Sequence, residues 1–411
     1  MLERLQKGLI ILVVFWFSLI PHNPIPSNSL LFVKILLLTG FSLLWWQKRK
    51  TIFKSSDAPL WLLLAAFALN LFFARERRVA LNMYLDLSLP LFLLYYLVGE
   101  NFQGERFFFL AAALSWASSL VALLGVWELL FVSNPIYAHL MDNPYYSRYV
   151  TGFVRPVSTQ LNPSPLGSYL LACLPFNFLV FRITKGPFRF MAGAGLVTVV
   201  TVLIFTFSRG AFLALMALVI IYLFLKKKYM SLLSVGILLS ALLLFGSRLP
   251  YPFARLSREW IIGPKGSSLL SDYRMERYRM AYRMLKDHPF TGIGFEHFRI
   301  RFKEYSIYRH RFQLETMIAD NMHLTILSET GAIGFLAFLV FIFYSFKKGL
   351  KSYREGKNLP ALAALMSFTG IFFNMGGYEL FYWPGPYLCF CLAAGCIEAQ
   401  FRSDTNKAGL K

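Results

Sequence analysis

Three arginines are the residues of this chain best suited to binding an anionic substrate. Arg209 lies in a Ser-Arg-Gly triplet between two apolar runs, and Arg274 and Arg277 lie in a charged segment at 272–287. A guanidinium group presents a planar fork of N–H donors that binds phosphate oxygens in pairs, and its charge does not titrate. These residues therefore indicate an anion site, for which lipid headgroups, diphosphates and acidic glycans are the candidates.

Arg209 lies at the start of an unusually short apolar run. Only 16 residues separate it from Lys226. As a helix this run would be about 24 Å long, which is less than the roughly 30 Å of a bilayer core. Arg209 is therefore drawn towards the membrane boundary, where it would bind a substrate or simply extend its side chain to the lipid headgroups.

A helical projection of residues 272–287 separates the arginines into two groups. Arg274 and Arg277 fall within the apolar arc, so a helix packed on the membrane domain would direct them inward, to a substrate or to a structural ion pair. The opposite face carries charges of both signs, and we expect it to be solvated. Its members are Asp272, Glu276, Arg279, Arg283, Lys286 and Asp287.

Asp320 and His323 are the candidate general bases. They are three residues apart, so on a continuous helix they would share a face, and a carboxylate can orient a histidine and raise its basicity. Asp320 could instead cap the helix. Glu329 lies deeper in the same apolar run, where a carboxylate is either functional or hydrogen-bonded to a neighbouring span. Asn321 and Arg155 are possible supporting residues.

The sequence predicts neither a metal site nor a bound cofactor. The six histidines are scattered, and no Asp-x-Asp motif occurs. All four cysteines fall within apolar runs, a pattern typical of small buried residues rather than of metal ligands or disulfides. The chain also lacks a P-loop and a serine-nucleophile motif.

Composition places the chain in the membrane class. Hydrophobic residues make up 57% of the 411, charged residues only 15%, and the formal net charge is +21. The basic residues lie in short loops between apolar runs, so anionic lipids or substrates are better partners than nucleic acid. Twelve apolar runs could span a bilayer: 8–20, 29–46, 59–74, 80–98, 107–132, 165–182, 190–207, 210–225, 229–246, 321–346, 360–376 and 383–399. We therefore predict an all-α polytopic membrane protein with about twelve transmembrane helices.

The distribution of lysine and arginine predicts the orientation of these spans. Basic clusters follow the second, sixth, eighth and tenth runs, which places those loops and both termini in the cytoplasm. Residues 1–246 then hold nine spans and an outer loop at 133–164, and residues 321–411 hold three spans and a cytoplasmic tail. Between them, 247–320 forms a long, partly helical periplasmic loop. This loop has fourteen basic and eight acidic residues, an excess that requires an anionic partner.

Three motifs in this order resemble the O-antigen ligase family, part of a wider group that includes O-antigen polymerases. The first is the Ser-Arg-Gly triplet around Arg209. The second is an arginine in a helix just before His-Pro-Phe-Thr-Gly-Ile-Gly at 288–294. The third is Asn-x9-Gly-x-x-Gly, which runs from Asn321 to Gly334. The resemblance covers roughly residues 150–345, and the predicted spans with one long outer loop also fit it.

The resemblance implies an enzyme of lipopolysaccharide biosynthesis, a metal-independent and inverting glycosyltransferase that needs no cofactor. Such an enzyme would transfer a polysaccharide from an undecaprenyl diphosphate carrier to lipid A-core, at the periplasmic side of the bacterial inner membrane. Arg209 and Arg274 match the family's diphosphate-binding arginines, and Arg277 is a further candidate. Without a metal, fixed cations must stabilise the charge of the leaving group.

One position departs from the family pattern. Where the family has a histidine directly before the asparagine, this chain has Asp320. Either Asp320 replaces the histidine as the base, or His323 reaches the same place from the next turn. The departure also keeps an O-antigen polymerase as an alternative. A polysaccharide exporter or flippase is the alternative from another class, but the polar residues gather at one outer face rather than in matching mid-membrane positions, which favours an enzyme.

Overall fold

A computed structural model describes residues 2–20, 29–48, 52–131, 134, 149–150, 153–231, 233–234, 236, 272–306, 318–356 and 358–408. Helices dominate these residues. They are α1 (Leu2–Leu19), α2 (Ser29–Lys48), α3 (Ala58–Phe73), α4 (Arg77–Asn101), α5 (Phe107–Phe131), α6 (Pro163–Ile183), α7 (Gly186–Phe205), α8 (Arg209–Leu225), α9 (Asp272–Asp287), α10 (His297–Tyr305), α11 (Met322–Gly356), α12 (Leu359–Asn374) and α13 (Pro384–Ala408). Two short strands, β1 (Tyr149–Val150) and β2 (Phe153–Val154), pair antiparallel before α6.

Seven helical stretches in this part of the chain are long and apolar enough to cross a membrane; they contain α2 to α7 and α11. Helices α8 and α12 are shorter but equally apolar. The protein is therefore a largely helical, multi-pass membrane protein, as predicted. The number twelve stays a prediction, because most of the predicted span at 229–246 lies outside the described residues. So does much of the predicted loop at 247–320, of which 272–306 and 318–320 are described.

Caps and prolines set the beginnings of the helices that carry the site. The Asn162 side chain accepts a hydrogen bond from the backbone N–H of Ser164 at 3.0 Å, and Pro163 opens α6. The Asn321 side chain accepts one from the N–H of Leu324 at 3.2 Å and so caps α11. Asn321, rather than Asp320, is thus the cap, which leaves the Asp320 carboxylate available for other contacts.

Helix α13 lies at the centre of the helical bundle. It packs along α4 and also contacts α6, α11 and α12. Most of its side chains from Tyr387 to Ala399 are buried in the main apolar core. The loop that connects α12 to α13 therefore leads directly into a buried helix. That loop carries part of the site.

The turn at 288–294 locks onto a kink in α11. Helix α11 bends at Gly331, where φ is +66°, and a Cβ there would lie 2.4 Å from the carbonyl of Phe290. On the other side of the contact, Gly292 has φ +69°, and a Cβ there would lie 2.2 Å from the carbonyl oxygen of Glu329. Only glycine allows two backbones to approach this closely with these conformations. The two glycines therefore fix α9, which precedes the turn, against α11.

Helix α9 packs on α10 and on the start of α11 through a small apolar cluster that includes Met280, Met284 and Phe298. Its charged face differs from the prediction. Glu276 is almost fully buried and pairs with Arg283 at 3.3 Å, and Arg283 also donates to the backbone carbonyl of Tyr305. The prediction that Glu276 and Arg283 lie on a solvated face is wrong, because α10 folds back over that side of the helix.

Candidate functional site

Arg274 and Arg277 converge on the carboxylate of Asp320. The Arg274 Nε lies 3.6 Å from Asp320 Oδ2, and an Arg277 Nη donates directly to the same oxygen. All three side chains are mostly buried, with 14 to 21% of each exposed. The projection that directed Arg274 and Arg277 inward therefore agrees with the structure, and the ion pair considered as their alternative role is present as well.

The ion pair leaves hydrogen-bonding capacity unused. Arg274 Nη1 and Arg277 Nε are both buried and have no hydrogen-bond partner among the described residues. Buried N–H groups are nearly always paired in folded proteins, because an unpaired one costs about 1–3 kcal/mol. Two unpaired guanidinium nitrogens on neighbouring turns, beside a single carboxylate, are the arrangement expected where a further anion binds.

A short loop joins the other parts of the site. It runs from Met375 to Glu379, between α12 and α13. The backbone N–H of Met322 donates to the carbonyl of Met375 at 2.8 Å, which holds the start of α11 against the loop. Two residues further on, the Gly377 backbone touches the first turn of α8, where a Cβ at Gly377 would lie 2.8 Å from the Gly210 Cα. Arg209, the first residue of α8, is thereby placed beside this loop.

Glu379 is a member of the site that the sequence reasoning missed. Its carboxyl is buried and accepts hydrogen bonds from the N–H of Ala319 and the hydroxyl of Thr325. Burial raises the pKa of Glu379 to about 8, and the nearby Asp320 adds to the rise. Glu379 thus supports the residue next to Asp320. Nothing in the sequence around 379 signals this role, because the carboxylate reaches Ala319 through the fold and not through a motif.

His323 lies apart from Asp320. Asp320 precedes helix α11 and has a left-handed backbone with φ +57°, so the helical spacing of three residues does not apply. The prediction that the two side chains share a helical face is wrong for that reason. The His323 Nε2 lies 3.3 Å from the carbonyl oxygen of Phe372, and its ring packs edge-on against the Phe372 ring, 5.0 Å between centroids.

Glu329 and Arg155, two further predicted residues, form hydrogen bonds with groups around the site. Glu329 Oε1 accepts from the N–H of Phe298 at 3.1 Å and from the Tyr382 hydroxyl at 3.2 Å, so it ties α10 and the loop before α13 to the kink of α11. Arg155 Nε donates to the carbonyl of Thr206 at 2.7 Å, close to the start of α8. These contacts position the elements that carry the arginines.

His297, which follows the turn at 288–294, also makes contacts with the backbone. His297 Nδ1 lies 2.8 Å from the carbonyl oxygen of Phe295, and its Nε2 accepts from the N–H of Glu76 at 3.0 Å. Burial lowers the pKa of His297, consistent with a neutral ring that donates through Nδ1 and accepts through Nε2. Within the described ranges, no group of three or more His, Cys, Asp or Glu side chains is arranged to hold a metal ion.

The fold defines a multi-pass membrane protein, and at one end of its helical bundle two mostly buried arginines, Arg274 and Arg277, converge on Asp320. Residues 194–339 match the family model of the O-antigen ligases, and this range includes Arg209, Arg274, Arg277 and Asp320. The resemblance inferred from the motifs is thus confirmed over this part of the chain. The match supports a glycosyltransferase-like membrane enzyme of the O-antigen ligase or polymerase type. No curated protein matches the chain.

Proposed function

We propose that this protein is an O-antigen ligase that transfers a polysaccharide from undecaprenyl diphosphate to lipid A-core at the periplasmic face of the bacterial inner membrane. The observation that carries the proposal is the pair of unpaired guanidinium nitrogens on Arg274 and Arg277, beside Asp320. A diphosphate supplies acceptor oxygens for both nitrogens, and Arg209 at the start of α8 supplies a third positive charge at the membrane boundary.

Binding of the donor would exchange one anion for another. In the structure Asp320 accepts from Arg277 and lies near Arg274. When the diphosphate oxygens take over these guanidinium groups, the Asp320 carboxylate is released next to the reacting centre. The same event thus fills the anion site and frees a base. Donor binding is in this way coupled to deprotonation of the acceptor hydroxyl.

The transfer step then follows as an inverting displacement. Asp320 takes the proton from the acceptor hydroxyl, and that oxygen attacks the anomeric carbon from the face opposite the diphosphate. The bond between the anomeric carbon and the diphosphate oxygen breaks, and undecaprenyl diphosphate leaves. Arg209, Arg274 and Arg277 stabilise the negative charge on the leaving group, the role that fixed cations can fill in place of a metal ion. We therefore expect turnover of purified protein to persist in EDTA.

Glu379 acts as a positioning residue in this scheme. With a pKa of about 8 it is mostly protonated at neutral pH, and it holds the backbone of Ala319 immediately before Asp320. A neutral carboxyl in this place supports Asp320 without competing with it for the arginines. His323 remains the other candidate base from the sequence, but its contact with Phe372 favours a structural role.

An O-antigen polymerase is the second candidate function, because Asp320 stands where ligases have a histidine. The two activities differ in their acceptor. Purified protein is incubated with a lipid-linked polysaccharide donor in two parallel reactions. One reaction contains lipid A-core as the acceptor, and the other contains a lipid-linked single repeat. A ligase modifies lipid A-core, whereas a polymerase lengthens the lipid-linked repeat. If the wild-type protein shows neither activity, the proposal is contradicted.

The proposal also requires the site to face the periplasm. Reporter fusions at Lys227 and Lys265 should report opposite sides of the membrane, with Lys227 in the cytoplasm. A cytoplasmic report from both positions would contradict the orientation and the periplasmic site with it.

A further inference from the structure

An apolar cavity lies toward the end of α8 opposite to Arg209. Helices α6, α7, α8 and α12 line this partly open cavity, which has a volume of about 420 Å³. Its walls are apolar, formed by residues such as Pro175, Phe178, Val200, Leu218 and Ala363, and the one charged side chain in the lining is Arg182. Arg182 lies in the last turn of α6, so the cavity reaches the end of the bundle where α6 and α8 finish.

The end of the bundle that this cavity reaches, here called its mouth, is rich in basic residues, of which Arg182 lines the cavity itself. The segments 181–191 and 222–231 contain six lysines and arginines and no aspartate or glutamate: Arg182, Lys185, Arg189, Lys226, Lys227 and Lys228. Arg182 and Lys226 lie over aromatic rings, of Phe178 and Tyr353 respectively. In the described ranges none of the six forms a salt bridge with a carboxylate. An apolar cavity with a basic mouth is complementary to a molecule with a hydrocarbon chain and an anionic head.

We propose that this cavity binds an anionic glycerophospholipid from the leaflet opposite the transfer site. One acyl chain would occupy the apolar space between α6, α7, α8 and α12, and the headgroup phosphate would lie between Arg182 and Lys226. Basic pockets between transmembrane helices on the cytoplasmic side bind lipid headgroups in this way. This inference does not depend on the proposed transfer reaction.

The position of the positive charge favours a phospholipid over the chain of the glycan carrier. A carrier whose diphosphate bound at Arg274 would bring only hydrocarbon to this end of the bundle. Arg182 and its basic neighbours would then have no anion to contact. A phospholipid of the near leaflet satisfies both the cavity and its mouth.

The test uses the full-length protein, purified and stripped of lipid in a neutral detergent. Its melting temperature is measured as mixed micelles are supplied with increasing mole fractions of phosphatidylglycerol or, in parallel, phosphatidylcholine. We expect phosphatidylglycerol to raise the melting temperature saturably and phosphatidylcholine to have little effect. The double substitution Arg182→Gln/Lys226→Gln should raise the half-saturating mole fraction of phosphatidylglycerol at least about tenfold. Equal stabilisation by both lipids would overturn the proposal.

Three further variants separate the effect of the basic mouth from that of general surface charge and from that of the cavity itself. Arg354→Gln removes an exposed charge from α11 outside the cavity lining, and it should leave the response to phosphatidylglycerol unchanged. Ala363→Phe and Val200→Phe fill the cavity from two different helices, α12 and α7, and either should abolish the saturable response. An unchanged response in both filled variants would contradict the site. Competition by undecaprenyl phosphate for the phosphatidylglycerol response would instead assign the cavity to the carrier chain and overturn the proposal.

Discussion

Two clusters of arginine and carboxylate groups lie at opposite ends of this protein, and they differ in how completely their hydrogen bonds are satisfied. The Arg402 cluster consists of Asp57, Glu100, Lys348, Glu398 and Arg402. Each guanidinium nitrogen of Arg402 has an acceptor: Nε binds Glu398, one Nη binds Asp57 at 3.1 Å, and the other binds Glu100 and the carbonyl of Ile52. Lys348 donates to Glu398 at 2.7 Å and to the Tyr95 hydroxyl at 2.8 Å.

The site around Asp320 has the opposite balance. Among the described residues, Asp320 is the one carboxylate that pairs with the two guanidinium groups, and buried nitrogens of Arg274 and Arg277 lack partners there. In the Arg402 cluster three carboxylates surround Arg402 and Lys348, and Lys48 also pairs with one of them, Glu100, at 2.8 Å. A buried charge cluster that satisfies itself contributes to holding the fold, whereas one that lacks an acceptor is suited to a ligand. Charge alone does not distinguish these roles; the number of unfilled donors does.

The largest effect should come from Asp320. We expect Asp320→Asn to lower the transfer rate by about 10²–10⁴, because it removes the base. The same change removes the anion that competes for Arg277, so the donor should bind as tightly as before or more tightly. Rates and donor affinity measured on purified protein separate the two effects. Asp287→Asn, at an exposed carboxylate of α9, is the matched control, and equal rates in both variants would contradict a base at Asp320.

Arg402→Met should affect stability and not chemistry. Removing Arg402 leaves buried carboxylates without their main cation, which typically costs about 3–5 kcal/mol. Lys351→Met is the control, because Lys351 forms an exposed pair with Glu355 at 3.8 Å and such pairs contribute only about 0–1 kcal/mol. Unfolding is followed by denaturant titration, and the transfer rate is expressed per folded molecule. A large fall in that rate for Arg402→Met would remove the distinction between the two clusters.

Arg274→Ala and Arg277→Ala should each reduce the transfer rate by about 10²–10³, the usual cost of losing a donor to a developing oxyanion. Stability should change less than in Arg402→Met, since Arg274 Nη1 and Arg277 Nε have no partner to lose within the part of the chain that the structure describes. Arg279→Ala is the appropriate control, because Arg279 is exposed on α9. Arg283 is unsuitable, since it pairs with buried Glu276. Comparable losses in Arg279→Ala would show that general charge on α9, not the inward pair, matters.

The smallest expected change in transfer rate concerns Glu379, whose main effect should be on the pH dependence of stability. Its pKa is about 4.5 in the unfolded chain and about 8 in the fold, so the folded protein holds a proton that the unfolded protein releases as pH rises between these values. Glu379 therefore makes stability fall from about pH 4.5 to about pH 8. Glu379→Gln mimics the protonated carboxyl, so it should flatten this part of the stability curve and largely retain transfer. Parallel wild-type and variant curves would contradict a raised pKa.

Much of the arginine site was predictable because local periodicity determines it. Arg274 and Arg277 lie on the apolar arc of α9, and that arc packs against the bundle. Glu276 and Arg283 were misplaced because the covering helix, α10, contacts α9 only through the tertiary fold. A projection of one helix contains no information about its neighbours.

The misplacement of His323 relative to Asp320 has a different cause. A spacing of three residues implies a shared face only on a continuous helix, and Asn321 caps α11 after Asp320. Glu379 could not be assigned because its contacts with Ala319 and Thr325 cross more than fifty residues of sequence. Residues with a local motif were predictable, and residues that reach the site only through helix packing were not.

The central claim is that Arg274 and Arg277 hold unfilled hydrogen-bonding capacity for a diphosphate. The most direct test is the affinity of purified protein for farnesyl diphosphate, a short analogue of the carrier, measured by calorimetry in detergent for wild type, Arg274→Ala/Arg277→Ala, Arg279→Ala and Asp320→Asn. We expect the double variant to bind at least about tenfold more weakly than wild type, Arg279→Ala to be unchanged, and Asp320→Asn to bind as tightly or more tightly. Equal affinity of wild type and the double variant would contradict the claim.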